Sequence, residues 1–217
     1  MSSGARSGST ASPTRSPRSS ESRARSPPGR STSRRGARSS MTEPEHPQPV
    51  KLVVAALWRE AEALDAARGR MAAAWGPIDF EGPDRPFDAT DYYEPEMGAG
   101  LVRRLLSFER LIAPEEIAAA KLRACEIERE LARGAARRVN LDAGYLDLNK
   151  LVLASLKRGP QKIHLGGGVW ADIVCLYRKG GFLAFEWTFA DFKDGRYDGD
   201  LLRIRERYKA ALRGQSA

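Results

Sequence analysis

The stretch from Arg137 to Phe185 constrains the fold most, because it carries two alternating apolar patterns closed by glycine turns. Lys162, His164 and Gly166 alternate with Ile163 and Leu165. Val169, Ala171, Ile173 and Cys175 alternate with Trp170, Asp172, Val174 and Leu176. A period of two in residues rich in β-branched and aromatic types reads as strand. Gly166-Gly167-Gly168 can adopt positive φ and close a hairpin, and Lys179-Gly180-Gly181 supplies a second turn before the apolar run Phe182 to Trp187. The expectation is a three-strand meander. Upstream, Val139 to Asp142 reads as a short strand ending in Ala143-Gly144. Asn140 and Asp142 are two apart and share a face, which is either the strand's solvent face or the lining of a site.

The rest of the chain supplies the other elements. Leu52 to Trp58 is almost wholly apolar, as in a strand covered on both faces. Glu60 to Trp75 has helical spacing and stops at Gly76-Pro77. Pro77 to Pro86 reads as a turn-rich connection. Phe87 to Met97 reads as a strand that is either an edge or breaks at Pro95, with Tyr92, Glu94 and Glu96 on one face. Leu101 to Ile112 reads as a strand. Pro114-Glu115-Glu116 opens a helix that Gly134 ends, and Glu126, Glu128, Glu130 and Arg133 read as its solvated face. Leu146 to Leu156 reads as helical or irregular, and a last helix runs from about Asp200 to Arg213. The order β-α-β-β-α-β matches a ferredoxin-like antiparallel sheet with helices on one face. A C-terminal β meander and helix extend this α+β fold.

Charge is distributed unevenly. Residues 1–40 hold nine of the 36 basic residues and one of the 28 acids, so residues 41–217 carry 27 of each sign and no net charge. Residues 1–40 also contain no Leu, Ile, Val, Phe, Tyr, Trp or Cys. Too little apolar surface is present to offset ordering entropy, so residues 1–48 are expected to be a disordered tail, and residues 49–213 a single domain. Met41 is an alternative start. A neutral domain lacks the electrostatic footprint of general nucleic-acid binding, which leaves the basic tail as the place where such binding would occur. No apolar run reaches the length that crosses a bilayer. Cys125 and Cys175 lack a C-x-x-C context and read as buried thiols of a cytoplasmic protein.

Two function classes fit the polar residues. In the first, a binding or regulatory module takes a small molecule or a partner protein in a groove. In the second, a metal-dependent enzyme or binder acts on a nucleotide-like or phosphorylated ligand. There Glu94, Glu96 and Asp142 supply hard oxygens for an ion such as Mg²⁺, and Lys157 and Lys162 meet phosphate. The site residues common to both are Tyr92, Glu94, Glu96, Asn140, Asp142 and Lys157. The enzyme class predicts that Glu94, Glu96, Asp142 and Lys157 converge in one concavity. The module class predicts that they scatter, or that arginines such as Arg103, Arg104 or Arg138 engage the carboxylates. The triple glycine lacks the Lys-Ser/Thr of a phosphate loop and lies between strands. His164 is an isolated imidazole without the partners of a zinc site.

Five phrases are distinctive together: Thr90 to Gly98, Ser107-Phe108-Glu109, Val139 to Tyr145, Lys150 to Lys157, and Trp187-Thr188. In this order they resemble the bacterial family known as domain of unknown function 4416, over about Val50 to Leu212. The resemblance implies a start near Pro49 and supplies a motif map without a reaction. In that family Pro is frequent where Ala143 stands, an aromatic where His164 stands, and Glu where Asp172 stands. The second of these departures speaks against His164 as a catalytic residue.

Overall fold

A computed structural model describes residues 44–215. The chain divides at Pro44/Glu45, and every element below lies in the second unit; the expected tail falls almost wholly outside the described residues. The elements in order are β1 (Val50–Trp58), α1 (Ala61–Trp75), β2 (Ile78–Glu81), β3 (Arg85–Pro86), α2 (Glu94–Met97), β4 (Val102–Ile112), α3 (Ile117–Leu131), β5 (Val139–Leu146), β6 (Lys150–Ser155), β7 (Ile163–Gly166), β8 (Val169–Arg178), β9 (Gly181–Ala184), α4 (Ala190–Lys193) and α5 (Asp198–Gln215). The fold is α+β, built on one large antiparallel sheet in the order β2-β4-β1-β5-β6-β8-β7.

β1 is central and buried at every position, which is why its sequence is apolar without alternation. Val50, Leu52, Val54, Ala56 and Trp58 pack with Leu64 and Met71 of α1 and with Ala124 and Ile127 of α3. Val53 and Ala55 belong to the opposite layer, with Leu201, Ile204 and Tyr208 of α5. Helices therefore cover both faces of the sheet rather than one, with α5 opposite α1 and α3. Lys51 is the exception in β1: its ammonium is buried, pairs with Asp79 and reaches the Glu109 carbonyl oxygen at 3.4 Å. Ser107 Oγ donates to the other oxygen of Asp79 at 2.6 Å, so the buried charge is paired and its partner hydrogen-bonded.

Three readings of the sequence need correction. Phe87 to Met97 is not a strand. It is a loop ending in the single turn of α2, with Pro95 in its first turn, where a missing N–H costs nothing. Tyr92, Glu94 and Glu96 therefore share no strand face, and the strand beside β4 comes from Ile78–Glu81 in the supposed connection. Leu146 to Leu156 is not helical: β5 runs on through Gly144 to Leu146 and turns into β6. Asp147 holds the turn, its Oδ1 accepting from the backbone N–H of Asn149 at 2.7 Å and of Lys150 at 2.8 Å. The C-terminal strands are not a simple meander either. β6 takes one edge of β8, while β7 and β9 follow one another along the other. Between them, Trp187 Nε1 and Thr188 Oγ1 donate to the carbonyls of Ile173 and Val174 at 3.1 and 2.6 Å. Trp187-Thr188 thus seals an edge that no strand occupies.

Candidate functional site

The site lies where the sheet splits. β5 and β6 pair only at Gly144↔Leu153, Tyr145↔Val152 and Leu146↔Leu151. A Cβ on Gly144 would lie 2.2 Å from the Val152 carbonyl oxygen, so glycine permits the close approach at the apex of the split. Beyond it, residues 139–143 stay with β1, while Ala154 and Ser155 follow β8. Two side chains of α3 stand in for the missing strand. Lys121 donates to the Leu141 carbonyl at 2.8 Å, and Leu141 N–H donates to Glu128 at 2.6 Å. The N–H and C=O of Leu141 on this edge of β5 are thereby satisfied without a neighbouring strand.

A cleft of about 560 Å³ opens in the split. Asn140 and Asp142 of β5 form its floor with the buried Arg103 of β4. Tyr92, Tyr93 and Phe87 come from the loop before α2, Ser155, Lys157 and Lys162 from β6 and the segment after it, and Phe189 from the segment before α4. Of the residues expected from sequence, Tyr92, Asn140, Asp142 and Lys157 line this one cleft. Glu94 is exposed and outside it. Glu96 stands behind the wall, gripped by Arg137 through Nε at 2.7 Å, Nη2 at 2.6 Å and the backbone N–H at 3.1 Å. That grip holds the Glu96 carboxyl below the usual glutamate range.

Asp142 is equally engaged. Its Oδ1 meets Lys121 at 3.3 Å, and its Oδ2 accepts from Asn140 Nδ2 at 3.1 Å and lies 3.9 Å from Arg103 Nη2. Arg137 Nη1 in turn donates to Asn140 Oδ1 at 2.7 Å, which links Glu96, Arg137, Asn140 and Asp142 in one chain. Glu94, Glu96 and Asp142 do not meet, and among the described residues no three His, Cys, Asp or Glu are grouped to hold a metal ion. Burial raises the Glu128 carboxyl. Burial works to lower the Lys121 ammonium, but Asp142 and Glu128 more than offset it and its affinity for the proton rises. Burial also pushes the Tyr93 phenol up to about 12. At the mouth, Lys157 bonds the Tyr92 hydroxyl and sits 4.0 Å from that ring's centroid, which lowers the phenol's pKa. This contact ties the two sides of the cleft together.

Sequence reasoning named Arg103 only as a possible partner of the carboxylates and missed Lys121, Glu128, Arg137 and Phe189 as cleft residues. Lys121 and Glu128 did carry a signal. They fall on the same helical stripe as Ile117, Ala124 and Leu131 and are buried with it, so Glu128 does not belong to a solvated face. Phe189 carried none, and nothing local singled out Asp191 as the partner of Arg103, because the two are distant in sequence.

The five phrases quoted above now have places: the loop wall and α2, the middle of β4, the floor strand β5, the opposing wall β6, and the sealed edge of β8. The model of the family described as Domain of unknown function (DUF4416) matches residues 48–208. The chain belongs to this family. No match was found among curated proteins or among solved structures. The DUF4416 match spans every cleft-lining residue named here. Among the described residues no helix is long and apolar enough to cross a membrane.

Proposed function

We propose that this DUF4416 chain is a small-molecule-binding module whose cleft takes an anionic ligand with a planar, apolar part. The observation that carries this reading is the imbalance at the mouth. Lys157 and Lys162 both line the cleft; Lys157 rests on the Tyr92 hydroxyl and acts on Glu96 only at a distance, and among the described residues neither lysine is in a direct ion pair. The carboxylates that line the cleft are already engaged: Asp142 by Lys121 and Asn140, Glu128 by the Leu141 N–H, and Asp172 by Gln161 Nε2. Ammonium groups without a direct carboxylate contact, over a concave and partly apolar wall, draw anions from solution. Tyr92, Phe87 and Phe189 offer rings against which a planar group can lie. The engagement of Glu96 and Asp142 favours this module over the metal-dependent enzyme built on the same residues.

The reading includes a ferredoxin-like plait for β1-α1-β2-β4-α3-β5, supported by the strand order β2-β4-β1-β5 and by α1 and α3 packing in one layer. It also includes a reducing compartment, supported by the free thiols Cys125 and Cys175.

The test is a thermal-shift screen of the full chain against nucleotides, sugar phosphates and aromatic carboxylates, with and without Mg²⁺. A ligand that binds only the folded state raises Tm by mass action. The expected hit raises Tm without metal, and Lys157→Ala/Lys162→Ala abolishes that rise while the variant still unfolds cooperatively without ligand. A rise that needs Mg²⁺ and vanishes in Asp142→Asn would return the argument to the enzyme. A panel without any hit would sink the small-molecule reading and turn the search to protein partners.

A further inference from the structure

The floor of the cleft holds an incompletely satisfied cation. Arg103 is 2% exposed, yet it lines the cleft. Its Nη1 donates to Asp191 Oδ2 at 2.6 Å, and Asp191 is itself fully buried and accepts from the Tyr197 hydroxyl at 3.1 Å. The Nε/Nη2 edge of the guanidinium has no hydrogen-bond partner among the described residues. Nε is buried without a partner, and Nη2 comes no nearer to Asp142 Oδ2 than 3.9 Å, beyond hydrogen-bond range. Asp142 is held back from that edge by Asn140 Nδ2 at 3.1 Å and Lys121 at 3.3 Å. Phe87 lies against the guanidinium at 4.4 Å and keeps water off its face.

A buried guanidinium whose donors go unfilled is costly, and such groups are normally paired along their whole edge. Nε and Nη2 form the planar fork that receives two oxygens of a single carboxylate or phosphoryl group. We propose that Arg103 is the anchor of the ligand site: a forked oxyanion, drawn in by Lys157 and Lys162, ends on the Nε/Nη2 edge of Arg103. Asp191 and Tyr197 hold that edge toward the cleft from behind. Phe87 and the mouth aromatics then enclose the ring that carries the anion. The inference rests on the cleft reading above and adds which residue selects the ligand and by what geometry. A point charge cannot replace a fork, so lysine at position 103 keeps the pair with Asp191 and loses the selection.

Calorimetric titration of the full chain with phenyl phosphate and, in parallel, with benzoate tests this and separates the two oxyanions. The wild type binds at least one of them, and Arg103→Lys weakens that probe about tenfold or more, as expected for loss of a bidentate charged contact. In the wild type, the Arg103 Hε proton resonance moves downfield on titration; this readout stands even where the Arg103→Lys variant does not fold. Binding that Lys157→Ala/Lys162→Ala removes, while Arg103→Lys keeps it within about twofold and Hε does not move, overturns the anchor and leaves the cleft reading intact. Absence of heat with both probes, together with an unmoved Hε, overturns the anchor and the cleft reading together.

Discussion

Glu96 shows how far one side chain's role depends on its partner. An exposed carboxylate on a short helix is free to meet a ligand; one gripped by three N–H groups of Arg137 is a strut between the mouth loop and β5. Its depressed pKa gives the strut a pH dependence. A carboxyl whose folded pKa lies below its unfolded value contributes stability that is full above the unfolded value and lost as pH falls through the folded one. Glu96→Gln is therefore expected to cost about 1 kcal/mol near neutral pH, the partial exposure of the pair keeping the figure modest. The gap from wild type should close as the pH drops below about 4, and urea titrations at a series of pH values measure it. A gap that stays constant with pH would show that the carboxylate is not the stabilising form.

The strands explain why a cleft exists at all. β5 cannot pair with β6 along its whole length, because α3 places Lys121 and Glu128 on the backbone of Leu141. Gly144 then lets the two strands meet just beyond that point. Gly144→Ala puts a methyl group into the Val152 carbonyl, which belongs to backbone and cannot swing aside. The expected loss is about 1–3 kcal/mol, as for overpacked cores, read from urea unfolding. An unchanged midpoint would mean that the strands separate freely there. The opposite layer is held by α5, whose Ile204 is fully buried and whose Tyr208 hydroxyl donates to the Pro49 carbonyl at 2.8 Å. Ile204→Ala should cost about 2–5 kcal/mol and Tyr208→Phe about 0.5–1.5 kcal/mol. Thermal unfolding would rank them, and an equal effect of the two would contradict a packed helix with a single polar tie.

For the whole molecule, the formal charge of +8 resides in residues 1–40, and the remainder is neutral. Binding to polyanions is thus expected to be a property of the first 40 residues alone. The full chain should be retained on heparin at low salt and residues 41–217 should pass through, since phosphate-like contacts scale with clustered Lys and Arg. Equal retention of both would place a basic surface in the folded part.

From its residues alone, the sequence settles the elements whose signal is local. β1, α1, β4, α3 and the β7–β8 hairpin follow from periodicity, and their turns from glycine and proline, because a strand or helix face is written in neighbouring residues. It also identified Tyr92, Asn140, Asp142 and Lys157 as polar residues that need an explanation. That these four share one concavity while Glu94 and Glu96 do not comes from long-range packing. The same packing puts Arg103 beneath them, beside Asp191 from 88 residues away. Pairing between distant segments is set by how strands register and where they separate, and no local pattern encodes the partner of a buried charge.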